Sequence, residues 1–217
     1  MTLNLHHLYE SVDVRAIKLT SDQLGINIKL KPVNIKKDKN FKAQFLKLNP
    51  QELPPTFYDH TNGLALWEPK AIILYLLDKF YDLSGELYPI DPEYRARINE
   101  ILFFDETVFE KAFRNFWYPQ IFDGKPGKFE TFKEMESALN KLETLLSHFQ
   151  WIAGPNLTVA DLVVLATVVN YYIVGEKDIT KYKNIMKWYK NCEVYVKGFD
   201  ENVKSALRCK KLFEILK

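Results

Sequence analysis

Ser11, in the stretch "LYESVDVRA", has the residue type and position to stabilise a negative charge. The pattern around it predicts the start of a helix, and a helix N-terminus with a hydroxyl donor favours an anion such as a thiolate. Serine is also among the residues preferred as helix caps, through its own side-chain oxygen. On spacing alone the capping role is favoured, and the chemical role stays the alternative.

A row of aromatic residues forms a second candidate site. Asp105, Phe109, Phe113 and Trp117 follow one another at four-residue steps, with Phe116 beside the row. Residues at this spacing share one face of a helix. Composition alone favours a core face, and the alternative is the apolar wall of a ligand pocket. Polar groups that could orient a ligand lie in the same segment, at Asp105, Glu106, Glu110 and Arg114.

The elements that must position these residues begin with alternating strand and helix patterns. Residues 3–9 and 26–33 have strand patterns and are separated by a helical one. A short helix around 41–48 follows, then a hairpin in which the turn "HTNG" joins "PTFYD" to "LALW", then a helix over 71–80. This βαβ-α-ββ-α order predicts a thioredoxin-like α/β domain, a mixed sheet with helices on both faces.

The rest of the chain has helical patterns throughout. Met135, Leu139 and Leu142 recur at three- and four-residue steps, which places them on one face of a long helix. In "NLTVADL", Thr158 and Asp161 have the spacing of a capping box at the start of another helix.

The change of pattern predicts two domains. We expect an α/β domain over residues 1–82, a linker over 83–92 that is rich in Gly, Pro and charged residues, and an all-helical domain over 93–217. The first domain carries Ser11, and the second carries the aromatic row.

Composition limits the classes of function. The formal charge of +2 over 217 residues gives no reason to expect nucleic acid or an anionic membrane as a partner. Cys192 and Cys209 form neither a CxxC pair nor a metal-binding spacing, which indicates a reducing compartment. His6 and His7 are adjacent on a predicted strand and point to opposite faces, so no metal site is expected. The chain has no pattern of a signal or membrane-spanning segment, and a cytoplasmic location is expected.

Several motifs occur in a fixed order along the chain: "FLKLNPQ", "PTF", "LWEPKAIILYL", "LYPIDPEYRARI", "YPQIF" and "WIAGPNLTVADLVVLA". Together they resemble the cytosolic glutathione transferases, most closely the insect delta and epsilon branch. The resemblance covers essentially the whole chain. It implies a detoxifying enzyme that conjugates reduced glutathione, as a co-substrate, to hydrophobic electrophiles, and that acts as a homodimer.

The resemblance also implies a role for each site residue. Ser11 would activate the glutathione thiol and is the catalytic candidate. Pro55 would follow a cis peptide bond, and Pro54 would face the cysteinyl backbone of glutathione. Glu68 would hold the γ-glutamyl amine. The remaining glutathione positions would be Asn40, Glu52, Pro69 and Lys70, and the hydrophobic substrate would contact Val12, Asp13, Asp105, Phe109, Phe113, Phe116, Trp117, Leu212 and Phe213.

Four of these positions depart from the family pattern. Pro54 and Pro69 have no N–H to donate, Lys70 stands where arginine is common, and Glu52 would repel the glycine carboxylate of glutathione. These departures predict weak or altered glutathione binding. The alternative is a glutathione-independent carrier of hydrophobic small molecules on the same fold.

Overall fold

A computed structural model of the chain describes residues 2–7, 11–33, 48–51, 54–175 and 177–216. The helix predicted around residues 41–48 falls, apart from its last residue, outside the described residues. Asn40 and Glu52, two of the predicted glutathione positions, also lie outside them.

A four-stranded mixed sheet forms the centre of the first domain. Its strands are β1 (Leu3–His7), β2 (Ile28–Pro32), β3 (Thr56–Asp59) and β4 (Leu64–Leu66), in the spatial order β2-β1-β3-β4. β1 runs parallel to β2 and antiparallel to β3, and β3 and β4 form the predicted hairpin. Leu5, paired with Phe57 across β1 and β3, has no exposed surface, as strand alternation predicts for a core face.

Two helices cover this sheet. α1 (Val12–Leu24) ends at Gly25, whose φ of 70° is the left-handed conformation typical of a helix C-cap. α2 (Pro69–Lys79) starts with a proline, whose missing N–H costs nothing in the first turn. Ile17 of α1 and Ile72 of α2 are fully buried. The first domain therefore has the predicted thioredoxin-like architecture.

The segment predicted as a linker contains regular structure. α3 (Tyr81–Ser84) and a 3₁₀ turn (Gly85–Leu87) continue directly from α2. The guanidinium of Arg95 lies over the ring of Tyr88 at 4.2 Å from its centroid, so the segment is packed against the helix that follows it. The exact domain boundaries remain predictions.

The second domain is helical. Its first long helix is split by a single wider π turn, Asp105–Phe109, which separates α4 (Pro92–Phe104) from α5 (Glu110–Phe122). The remaining elements are α6 (Phe129–Leu145), α7 (Val159–Val169), a second π turn (Asn170–Val174), α8 (Lys183–Tyr195) and α9 (Phe199–Leu216).

Every residue of α7 is buried, so this helix is the centre of the second domain. Its start confirms the predicted capping box, since the Thr158 N–H donates to the Asp161 carboxylate at 2.9 Å. Within the described residues, no helix combines the length and hydropathy that crossing a membrane requires.

Candidate functional site

Ser11 caps the first helix of the chain. Its Oγ accepts a hydrogen bond from the backbone N–H of Val14 at 3.4 Å, and the residue is half-buried. This contact uses a lone pair and leaves the hydroxyl proton free to donate to an anion. The capping and catalytic roles of Ser11 are therefore compatible, and the catalytic role stays a prediction.

The peptide bond between Pro54 and Pro55 is cis, as the resemblance implied. Pro54 is half-buried and directly precedes the turn into β3, while Pro55 is buried. Nearby, the buried Asn49 side chain donates from Nδ2 to Thr56 Oγ1 at 2.8 Å, which ties the preceding loop to the strand. Pro54 therefore has a carbonyl group, and no N–H, to offer at the start of β3.

Glu68, Pro69 and Lys70 form the start of α2. Glu68 is the N-cap residue, and its side chain is exposed and makes no capping hydrogen bond. Pro69 occupies the first helical turn, so the first turn of this helix has one backbone donor fewer. Glu68 thus remains accessible for an amine, whereas Pro69 offers neither hydroxyl nor N–H.

Lys70 turns towards the second domain. Its Nζ lies 2.8 Å from Glu106 Oε2 and 3.2 Å from Asp105 Oδ2, both in the first π turn, and 3.8 Å from Asp13 Oδ1 on α1. Only 18% of the Lys70 side chain is exposed. The ammonium group is therefore engaged by carboxylates rather than presented to a ligand.

Arg114 extends this arrangement into a charge cluster made of Asp13, Lys70, Asp105, Glu106, Glu110 and Arg114. Its Nη2 lies 3.3 Å from Glu106 Oε1, and its Nε lies 3.7 Å from Glu110 Oε1. Asp105 is fully buried and accepts a hydrogen bond from Thr167 Oγ1 of α7 at 2.7 Å. The charge cluster therefore joins α1 and α2 of the first domain to the helices of the second.

Burial controls the protonation of the charge cluster. It raises the pKa of Glu110 to about 8, and the neighbouring Asp13 and Asp105 carboxyls add to this shift. Burial also raises the pKa of Asp13 and of Asp105, although Lys70 opposes the shift in both cases. For Glu106, burial raises the pKa, but the hydrogen bond from Lys70 and the charge of Arg114 lower it overall. Glu106 is thus the most acidic carboxyl of this group.

The aromatic row divides between core and surface. Phe109 and Phe113 have no exposed surface, and their centroids lie 4.7 Å and 5.2 Å from that of Tyr171 in the second π turn. These two rings are core side chains of the second domain and not walls of an open cleft. Phe116 and Trp117 are half-buried and meet edge to face at 5.2 Å.

The remaining predicted substrate residues lie apart from one another. Val12 is buried in the first turn of α1, whereas Asp13 belongs to the charge cluster. In the last helix Phe213 is buried against the ring of Phe122, at 5.7 Å between centroids, and Leu212 is on the surface. Phe213 therefore packs against the end of α5.

Sequence reasoning missed an open groove beside the second half of α5. Its aromatic and basic lining residues are Arg114, Phe116, Tyr118, Phe122, Lys125 and Lys128. Arg114 and Tyr118 are four residues apart on α5, as are Tyr118 and Phe122. This four-residue spacing could have predicted a second helix face next to the aromatic row.

The chain matches known family models over most of its length. Residues 1–78 match the N-terminal domain of glutathione S-transferases, and residues 107–194 match the C-terminal domain. These two matches cover both structural parts described above.

Solved structures agree with these matches. A delta-class glutathione transferase of Nilaparvata lugens is 31% identical, with a TM-score of 0.90 over 99% of this chain and 100% of that one. "Glutathione S-transferase unclassified 2" of Bombyx mori is 32% identical, with a TM-score of 0.87 over 100% and 99% of the two chains. An epsilon-class enzyme of the housefly Musca domestica is 25% identical, with a TM-score of 0.87 over 100% and 99%.

The chain belongs to the glutathione S-transferase family, and its structural neighbours include insect delta- and epsilon-class members. This membership supports a glutathione transferase-type function and the binding of glutathione.

Proposed function

We propose that the protein conjugates reduced glutathione to hydrophobic electrophiles, and that it binds glutathione more weakly than the family pattern would provide. The expectation of weaker glutathione binding rests on the position of Lys70. Its ammonium group lies 2.8 Å from Glu106 and 3.2 Å from Asp105, so it is not presented to the γ-glutamyl carboxylate.

The thiolate would form at the start of α1. A thiol has a pKa of about 8.5 in water, and the Ser11 hydroxyl together with the helix N-terminus lowers it by favouring the charged sulfur. The thiolate then attacks the electrophilic atom and forms a carbon–sulfur bond, while the electron pair of the broken bond leaves with the displaced group. Glu68, exposed at the start of α2, would hold the γ-glutamyl amine.

The negative charge of the charge cluster disfavours the thiolate at Ser11. Asp13 is two residues from Ser11. Glu110 is mostly neutral at pH 7 because its pKa is raised to about 8, but the other three carboxyl groups of the cluster still face only two cations. Negative charge near the sulfur raises a thiol pKa. We therefore expect slow conjugation of generic substrates at neutral pH.

The groove beside α5 would hold the second substrate. Phe116, Tyr118 and Phe122 provide apolar surface there, and Arg114, Lys125 and Lys128 provide positive charge around it. Apolar walls with a few polar groups are typical of small-ligand sites.

A second candidate function is a glutathione-independent carrier of hydrophobic small molecules. Pro54 and Pro69 favour it, because each removes a backbone donor from the place where glutathione would bind. In this case the first domain would be a scaffold, and the groove would be the ligand site.

We also propose that the protein is a homodimer with a two-fold interface. The exposed Phe103 on α4 and Phe129 at the start of α6, with 69% and 64% of their surfaces accessible in the single chain, provide apolar surface for such contacts. Sedimentation equilibrium would show a dimer mass if this is correct and a monomer mass if it is not.

Calorimetric titration with reduced glutathione at neutral pH distinguishes the two functions. A dissociation constant between about 1 µM and a few mM supports the transferase, since this is the ordinary range for enzyme substrates. If several mM glutathione gives no heat while a fluorescent hydrophobic dye binds saturably, the transferase function is rejected in favour of the carrier function.

The catalytic role of Ser11 is tested on the conjugation of an aryl halide. Ser11→Ala should lower kcat/KM by about tenfold to hundredfold, because the hydroxyl donor to the developing thiolate is lost. Ser11→Thr keeps both hydroxyl and cap, and should retain most activity. Ser137→Ala, on an exposed position of α6, is the matched control. Equal activity of Ser11→Ala and the control would remove Ser11 from the mechanism.

A further inference from the structure

Three carboxyl groups of the charge cluster converge on one point between the domains. Oxygens of Asp13, Glu106 and Glu110 all lie within 4.8 Å of one another. Asp13 comes from α1, Glu106 from the first π turn, and Glu110 from the start of α5. The fold therefore brings Asp13 of the first domain next to two acidic groups of the second.

Glu110 is incompletely paired in this position. The residue is 2% exposed, and its Oε1 lies 3.7 Å from Arg114 Nε. Its other oxygen, Oε2, is buried, and among the described residues no hydrogen-bond donor reaches it. A buried carboxylate oxygen without a partner is costly, so a proton or a bound cation would stabilise it.

The charges around this point do not balance. Four carboxyl groups, at Asp13, Asp105, Glu106 and Glu110, face two cations, Lys70 and Arg114. With all of them ionised, the sum is −4 + 2 = −2. Two bound protons or one divalent cation would restore neutrality.

The spacing of the oxygens fits a cation. Calcium–oxygen distances are about 2.3 to 2.6 Å, so oxygens bound to one ion lie at most about 5 Å apart. The three oxygens meet this condition. Carboxylate oxygens are hard ligands, which favour magnesium, calcium or manganese over softer metals.

We propose that Asp13, Glu106 and Glu110 form a binding site for one hard divalent cation at the boundary between the two domains. Lys70 Nζ lies 2.8 Å from Glu106 Oε2, so it would give up this oxygen to the ion and remain the counter-ion of Asp105, while Arg114 remains that of Glu106 Oε1. Because its ligands come from both domains, the cation ties α1 to the second domain. The cation site does not depend on glutathione, so its test is independent of the test of the proposed function.

Manganese is the probe for this site, because its free and bound forms differ in their paramagnetic resonance spectra. Titration of the full chain with Mn²⁺ should show one ion bound per chain, with displacement by excess Mg²⁺ or Ca²⁺. Saturating Mn²⁺ should also raise the midpoint of thermal unfolding, because the ion binds the folded state only.

Two variants locate the ligands. Glu110→Gln keeps the shape of the side chain and removes its charge, and Asp13→Asn does the same on α1. Each should weaken Mn²⁺ binding at least about tenfold, since one of three charged ligands is lost. Glu130→Gln, on an exposed position of α6, is the matched control and should bind like the unmodified chain.

The proposal is overturned if the unmodified chain binds no Mn²⁺ at about pH 8.5, where protons compete least for the carboxylates. It is also overturned if both variants bind as tightly as the control. Circular dichroism shows whether each variant is folded, and Asp13→Asn alone decides the outcome if Glu110→Gln does not fold.

Discussion

At the scale of single residues, two prolines remove backbone N–H donors from the candidate glutathione site. Pro54 precedes β3, and Pro69 lies in the first turn of α2. Replacing them together, as Pro54→Ile with Pro69→Ser, restores two N–H groups and adds one hydroxyl. We expect the double variant to bind glutathione at least about tenfold more tightly, since recovering about 1.4 kcal/mol of hydrogen bonding gives that factor.

Calorimetric titration of both proteins with reduced glutathione measures this change. Pro155→Ser, at an exposed loop position, is the control for a proline-to-serine change away from the site. Unchanged affinity in the double variant would show that another feature, such as the engagement of Lys70 by Glu106, limits binding.

Local motifs made part of this site predictable from the sequence. The helix cap at Ser11 depends on neighbouring residues, whereas the cis bond before Pro55 followed from the family resemblance. The partners of Lys70 depend on how the two domains meet, which no local pattern contains. Its ion pairs with Asp105 and Glu106 were therefore visible only in the structure.

At the scale of elements, Asp161 stabilises the start of the central helix, α7, through hydrogen bonds. Its carboxylate accepts hydrogen bonds from the backbone N–H groups of Ile152 and Thr158, the Thr158 hydroxyl and Trp188 Nε1. Asp161→Asn places an NH₂ group where one of these oxygens was, so donor would face donor. We expect it to lower the free energy of unfolding by about 2 to 4 kcal/mol, measured by urea denaturation.

This cost should depend on pH. Burial raises the pKa of Asp161 to about 6, although the hydrogen bonds from Ile152 and Thr158 oppose it. The folded chain therefore keeps this proton to a higher pH than the unfolded chain, and the stability from Asp161 is lost as the pH rises through about 6. Asn does not titrate, so the substitution should cost about 1.4 kcal/mol more at pH 5 than at pH 7.5.

Asp200→Asn, on the exposed first turn of α9, is the control for general effects of charge. A cost of Asp161→Asn that stays constant across this pH range would contradict the raised pKa. A cost near zero would show that the capping box is not needed for stability.

Elements with a regular pattern were predicted well, and irregular ones were not. The hairpin of β3 and β4 and the helix predicted over 71–80, which is found over Pro69–Lys79, follow from alternation and helical spacing. The π turn over Asp105–Phe109 has no such signature, and it sets which side chains face the first domain. This is one reason why Phe109 and Phe113, expected at a ligand, lie in the core, while Glu106 and Glu110 face α1 and α2.

At the scale of the whole molecule, α1 connects the two domains. It packs against α7 and α9, and its Arg15 is 2% exposed. The guanidinium donates to Asn202 Oδ1 of α9 at 2.8 Å and to Asn170 Oδ1 of the second π turn at 2.9 Å. Sequence analysis predicted both domains, but it contained nothing about this interface, because its residues are separated by more than half of the chain.

Arg15→Met should therefore lower the free energy of unfolding of the whole molecule and not of the first domain alone. The substitution keeps the aliphatic stem, removes two charge-assisted hydrogen bonds and leaves two buried amide oxygens without these donors. We expect the free energy of unfolding to fall by about 3 kcal/mol or more, measured by urea denaturation with circular dichroism. Arg15→Lys should recover only part of this loss, because an ammonium group lacks the planar fork that reaches both acceptors.

Arg97→Met provides the matched control for this interface. Arg97 is an exposed arginine of α4 whose pair with Glu100 is 4.0 Å long, and such surface pairs contribute about 0 to 1 kcal/mol. If Arg15→Met unfolds at the same urea concentration as Arg97→Met, the contacts of Arg15 do not hold the domains together. If instead it unfolds in two separate transitions, Arg15 is what makes the two domains unfold as one unit.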